Sequence, residues 1–141
     1  MIAPHQFTDA LFTGNGRIGR LMFVLGLGAV TAVALLAGLI PPAGWTGEAL
    51  FWAIRLPLLF VLFCLMAQRL HDIGRSGWWA APATAIVWMA PSPMGEFRDE
   101  VSVALHLIWF GALAVWPGQK VFNRYGAPPS ALASTTGPKT A

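Results

Sequence analysis

The chain has 141 residues, of which 56% are hydrophobic and only 11% charged, and its mean hydropathy is +0.61. Soluble domains carry about 25% charged residues, so nine Lys/Arg and six Asp/Glu cannot coat a water-soluble globule of this size. A soluble enzyme, a disordered tail protein and a nucleic-acid module are thereby excluded, since a net charge of +3 makes no nucleic-acid footprint; one small integral membrane domain remains.

Crossing about 30 Å of hydrocarbon takes a helix of about 20 apolar residues. Four apolar runs are predicted, the last of them short. The first covers residues 21–40, with no Lys, Arg, Asp or Glu, and stops at Pro41-Pro42 because proline lacks the N–H and clashes with the preceding turn. A cleaved leader is the competing reading of this run. The stretch is too long for an h-region, and about twenty residues precede it, so an uncleaved span is expected. The second run, 49–68, is interrupted by Arg55 and Pro57. Arg55 lies near Glu48 at the run's start, so its stem reaches the interface. The third run, 77–94, contains Pro82 near its start and Pro91 and Pro93 at its end; the fourth, 101–116, closes at Pro117-Gly118. The fold class expected is all-α: a bundle of four transmembrane helices formed by residues 1–126, followed by a disordered tail at 127–141 that is rich in small, polar and proline residues.

Charge placement sets the orientation. Arg17, Arg20, Arg69, Arg75, Lys120, Arg124 and Lys139 fall on one side of this four-span scheme, with Asp9 and Asp72 as the acids there. The other side holds Arg98 with Glu48, Glu96, Asp99 and Glu100, and Arg55 is buried near it. By the positive-inside rule both termini are cytoplasmic. Trp78, Trp79 and Trp116 then lie at the cytoplasmic boundary and Trp45 and Trp52 at the outer one, as an aromatic belt does. Trp88 and Trp109 fall deeper and read as packing residues.

The most informative stretch runs from Arg69 to Trp79 and reads as a tight connection at the membrane surface. Gly74 suits the left-handed position that ends a helix, and Ser76 suits the N-cap of the next. Asp72 stands three residues from both Arg69 and Arg75, within pairing reach of either on a helix. It is the natural counter-ion of the basic cluster. The bland reading is a charge clasp that locks the connection; the sharper one joins Asp72 and His71 in a headgroup or proton-handling site. Two flanking segments, 15–20 and 118–126, also place cations at headgroup level. The candidate cytoplasmic cluster is Arg17, Arg20, Arg69, His71, Asp72, Arg75, Ser76, Asn123 and Arg124. Arg55 and His106, close in depth, form a candidate intramembrane polar pair. Neither a metal nor any other cofactor is expected, because His5, His71 and His106 share no ligand spacing. Cys64, mid-span, reads as a buried small apolar residue. Gly28/Ala32 and Ala34/Gly38 make small-residue faces on the first span, suited to close helix packing within the bundle or between copies.

At the three cytoplasmic segments the chain resembles the bacterial inner-membrane family called "domain of unknown function 805". The family's Gly-Arg-x-x-Arg lead-in with a following aromatic is matched by Gly16, Arg17, Arg20 and Phe23; its Arg-Leu-His-Asp-x-Gly-x-Ser-Gly-Trp-Trp centre by residues 69–79; and its Asn-Arg-Tyr-Gly exit by Asn123, Arg124, Tyr125 and Gly126. Nearly the whole chain except the tail is covered. Gln68 departs from a common second Arg, and Val121-Phe122 from a more Gly-rich approach to Asn123. The resemblance implies a multi-span protein of the bacterial inner membrane and supplies no activity.

With no nucleophile–base–orienter set in view, a non-enzymatic membrane protein is expected, its basic cytoplasmic face contacting anionic lipid or a partner protein, with a homo-oligomer as another association and no nucleic acid. Two further readings are a small oligomeric transporter or channel lined by Arg55 and His106, and an enzyme acting on lipid phosphate. The latter would use His71 as acid/base and Arg17, Arg69 and Arg75 as the anion clamp.

Overall fold

The computed structural model describes Phe12 and residues 14–39, 44–89 and 96–129, with side chains outside that description at 86–89 and 96–103. Among the described residues the chain is all-helical: α1 (Arg20–Gly38), α2 (Gly44–Ile73), a 3-10 turn (Gly77–Trp79), α3 (Ala80–Met89) and α4 (Glu96–Val115). Two helices, α1 and α2, are long and apolar enough to cross a membrane. A shorter apolar stretch, Ala104–Val115, fills most of α4. Most of the expected tail lies outside the described residues; of its first three, Pro128 is buried and Pro129 lies beside Gly19.

Helix α2 is the spine of the bundle. Its 30 residues span about 45 Å at 1.5 Å per residue, well beyond a hydrocarbon core of about 30 Å. Gln68, Arg69, His71 and Asp72 occupy its last two turns. The helix also runs unbroken through Pro57.

Packing is concentrated at one end of the spine. Every buried residue of α2 falls between Leu59 and Asp72, and in α1 only Phe23 and Gly26, within the first two turns, are buried. These meet Ile18, Ala80, Ala83 and Leu113 in a single apolar cluster around Leu62, Leu65, Met66 and Leu70. Gly26 lets the helices approach, since a Cβ there would lie 2.9 Å from Leu65 Cδ2. Cys64 is buried alongside, as expected. Away from this cluster the bundle turns large apolar side chains outward, among them Leu25, Leu35, Leu36, Phe60, Leu107 and Ile108. Such continuous apolar exposure is tolerated by lipid and not by water. Of the small-residue faces on α1, Gly28 and Ala32 point outward, while Ala34 and Gly38 line a cavity facing α2.

The α2–α3 connection has the expected chemistry. Gly74 sits at φ 85°, its N–H donating to the His71 carbonyl at 3.0 Å, while the Arg75 N–H donates to the Leu70 carbonyl at 2.8 Å. This pair of bonds is the Schellman motif, which needs a left-handed residue at that position. The Ser76 hydroxyl then accepts from the Trp78 N–H at 3.4 Å and opens the 3-10 turn.

Candidate functional site

Asp72 stands at the centre of the site, buried at 3% exposure in the last turn of α2. A lone carboxylate there would be too costly to desolvate, and two guanidinium groups answer it. Arg17 donates from Nε at 3.1 Å and from Nη2 at 3.0 Å to Oδ1. Arg69, one turn earlier on the same helix, donates from Nη1 to Oδ2. The expected i, i+3 pairing therefore forms with Arg69. Arg75 is instead carried away by the Gly74 turn and is exposed; its place is taken by Arg17, 55 residues distant.

Both arginines are themselves saturated by the backbone. Arg17 Nη1 donates to the carbonyls of Val121 at 2.8 Å and Gly126 at 3.0 Å, and Nη2 also donates to that of Gln119. Arg69, fully buried, donates from Nε to the Leu113 carbonyl at 2.8 Å and from Nη2 to that of Trp116. These carbonyls belong to the last turn of α4 and the segment after it; that of Leu113 faces Pro117, which has no N–H to offer. The planar, always-charged fork of arginine suits this task and a lysine ammonium does not. One acid and two arginines thus tie together the lead-in to α1, the end of α2 and the exit from α4.

A second layer completes the clasp. The Gln119 N–H donates to the Asp72 carbonyl at 2.8 Å. Asn123 Nδ2 donates to the His71 carbonyl at 3.0 Å and to Gln119 Oε1 at 2.9 Å, and its own Oδ1 accepts from the Tyr125 N–H at 2.9 Å. His71 Nδ1 lies 3.1 Å from the Gly16 carbonyl, and its ring stacks on Tyr125 with centroids 3.7 Å apart and planes 10° from parallel. Arg124 lies over the Tyr125 ring, its guanidinium carbon 4.7 Å from the centroid. Gly118 passes so close to Asp72 that a Cβ would lie 2.6 Å from the carboxyl carbon.

Of the predicted cluster, Arg17, Arg69, His71, Asp72 and Asn123 come together in this network. Ser76 and Arg124 line a cavity beside it, and Arg20 and Arg75 stand exposed around it. Arg17 and Arg69 share the single charge of Asp72 and direct their N–H donors to it and to backbone carbonyls. Sequence reasoning left Gly118, Gln119 and Tyr125 out of the site set, although all three stand in the exit segment. Gly118, between Pro117 and Gln119, read as a helix stop at the start of that segment, with no sign of its contact with Asp72. The departure at Val121 is harmless, because Arg17 uses its carbonyl and not its side chain. Gln68 is buried next to Arg69.

The candidate polar pair, Arg55 and His106, lines one cavity of about 340 Å³ whose remaining wall is mainly aliphatic and aromatic. Arg55 lies over the Phe51 ring, 5.2 Å from its centroid, and His106 faces Phe110 at 5.7 Å. No group of three or more His, Cys, Asp or Glu placed to hold a metal occurs among the described residues.

No curated protein and no solved structure gives a match to the chain. The family model described as "Protein of unknown function (DUF805)" matches residues 11–127, a stretch that contains all three segments of the clasp. Since that match spans most of the chain, the protein belongs to the DUF805 family.

Proposed function

We propose that the chain is a non-enzymatic protein of the bacterial inner membrane. In this reading it crosses four times with both termini in the cytoplasm, and its cytoplasmic end rests on anionic lipid headgroups. One observation carries the proposal. After Asp72 has taken up Arg17 and Arg69, Arg20, Arg75, Lys120 and Arg124 stay exposed around the clasp, next to the exposed rings of Trp78, Trp79, Trp116 and Phe122. Cations beside tryptophans are the chemistry of a membrane–water boundary, each cation contributing about 1 kcal/mol near an anionic surface. The clasp is then the rigid support of this face and not a reaction centre.

Reporter fusions test the topology. A fluorescent protein fused at the C-terminus should fold and fluoresce, and alkaline phosphatase inserted at residues 90–95 should be active. The opposite pattern would overturn the orientation. The lipid contact is tested in nanodiscs of mixed phosphatidylglycerol and phosphatidylcholine. The wild-type chain should retain phosphatidylglycerol preferentially on detergent extraction. A variant carrying Arg20→Gln, Arg75→Gln, Lys120→Gln and Arg124→Gln together should lose most of that preference.

A further inference from the structure

Beside the clasp lies a cavity of about 600 Å³ with two unlike walls. At the level of the clasp it is lined by Asn15, His71, Ser76 and Arg124; it also reaches Phe63 and Trp78. Phe63 precedes His71 by eight residues on α2, about 12 Å deeper along the helix axis. Phe63 and Trp78 meet edge to face at 6.4 Å, and Trp78 is 79% exposed. The cavity therefore joins a polar, cationic compartment to an aromatic slot that descends toward the apolar part of the bundle.

The polar groups have capacity to spare. Arg124's partner among the described residues is the face of Tyr125, not a carboxylate, so its five N–H donors are available for an anion. Ser76 uses its oxygen as an acceptor for the Trp78 N–H, which leaves its hydroxyl hydrogen to donate. The Gly16 carbonyl only accepts, so His71 Nδ1 carries a hydrogen. In the neutral ring Nε2 is then an acceptor, matched to a hydroxyl donor. A phosphate flanked by hydroxyl groups satisfies all three, and an apolar chain fits the slot below.

We propose that this cavity binds one anionic glycerophospholipid, with its phosphate at Arg124, a headgroup hydroxyl at His71 and the upper part of an acyl chain along Phe63 and Trp78. The site rests on the membrane placement proposed above but goes beyond it, naming one stoichiometric ligand where the basic face as a whole would hold many lipids loosely. The chemistry shared with soluble ligands is the phosphate ester; the aromatic slot is what selects a lipid.

The test is native mass spectrometry of the delipidated full chain titrated with phosphatidylglycerol, phosphatidylcholine or glycerol 3-phosphate. One phosphatidylglycerol should bind, at least about ten-fold (1.4 kcal/mol) more tightly than phosphatidylcholine, which has the same phosphate but no headgroup hydroxyl and no net charge, or than glycerol 3-phosphate, which lacks the acyl chains. Arg124→Gln should weaken it by about that factor, and by clearly more than Lys120→Gln does. Gly14→Phe should weaken it as well: Gly14 lines the cavity and a Cβ there meets nothing within 4 Å, so a ring is added at the cavity wall without a backbone clash. An unchanged melting temperature for both variants guards against misfolding. Equal binding of phosphatidylcholine overturns the headgroup hydroxyl at His71 and the selection of an anionic lipid, and glycerol 3-phosphate binding as tight as lipid removes the acyl slot. If Lys120→Gln matches Arg124→Gln, attraction is spread over the face; that outcome overturns this site while leaving the topology and the lipid-facing role intact.

Discussion

Asp72 has an energetic position that its neighbours make unusual. Two buried guanidinium groups depend on its single negative charge, so Asp72→Asn leaves both uncompensated, a change that costs about 3–5 kcal/mol in a buried pair. The expected outcome is a large fall in melting temperature in mild detergent. Cys64 supplies a second readout, being the chain's only cysteine and 1% exposed. Maleimide should label it slowly in the wild-type chain and rapidly in Asp72→Asn; equal rates would mean that the clasp does not hold the bundle together. Arg17→Lys is a finer test. It keeps the charge but loses the fork that reaches Asp72 and three carbonyls at once, so a loss of about 1–3 kcal/mol is expected.

Glycines decide how the elements meet. Gly118→Ala should weaken the clasp although it adds only a methyl group, because the new atom would collide with the Asp72 carboxylate. Gly111→Ala, in α4, has nothing within 4 Å of its Cβ and should leave the melting temperature unchanged or raise it. The contrast separates steric contact from helix propensity. At the α2–α3 connection, Gly74→Ala meets two penalties: a left-handed backbone at φ 85°, worth about 1 kcal/mol or more, and contact with the Gln119 side chain. Adding Gln119→Ala should recover the contact part alone, and a double-mutant cycle in melting temperature measures the remainder.

On the scale of the whole molecule, the polarity of a soluble protein is inverted. Arg17, Arg69 and Asp72 are buried at one end, while leucines and phenylalanines face out along the helices. Extraction should therefore require detergent, and alkaline carbonate washing should leave the chain in the membrane pellet. The tight packing around Leu62, Leu65 and Met66 adjoins the clasp, and no residue of α2 before Leu59 is buried. Proteolysis or hydrogen exchange in detergent should accordingly find the first half of α2 less protected than the segment from Leu59 to Asp72.

The helical class, the apolar runs at 21–40 and 49–68, the Gly74 stop and the Ser76 cap were all legible in the sequence, because apolar length and local backbone chemistry depend on residues close together in the chain. The importance of Asp72 was legible too, as the acid of the central motif among basic segments. Its choice of partners was not. Spacing allowed Arg69 and Arg75 equally, whereas Arg17 is 55 residues away and reaches Asp72 only once α1 has packed against α2. The sorting of cations into internal and exposed sets is likewise invisible in one dimension: Arg17 and Arg69 are spent on a carboxylate and on helix-end carbonyls, while Arg20, Arg75, Lys120 and Arg124 are left facing outward. By itself the sequence determined that the chain is helical, apolar and basic in three segments. Only the tertiary structure decided which of those charges hold it together and which remain available to something else, because burial and hydrogen-bond saturation are properties of residues brought together by folding.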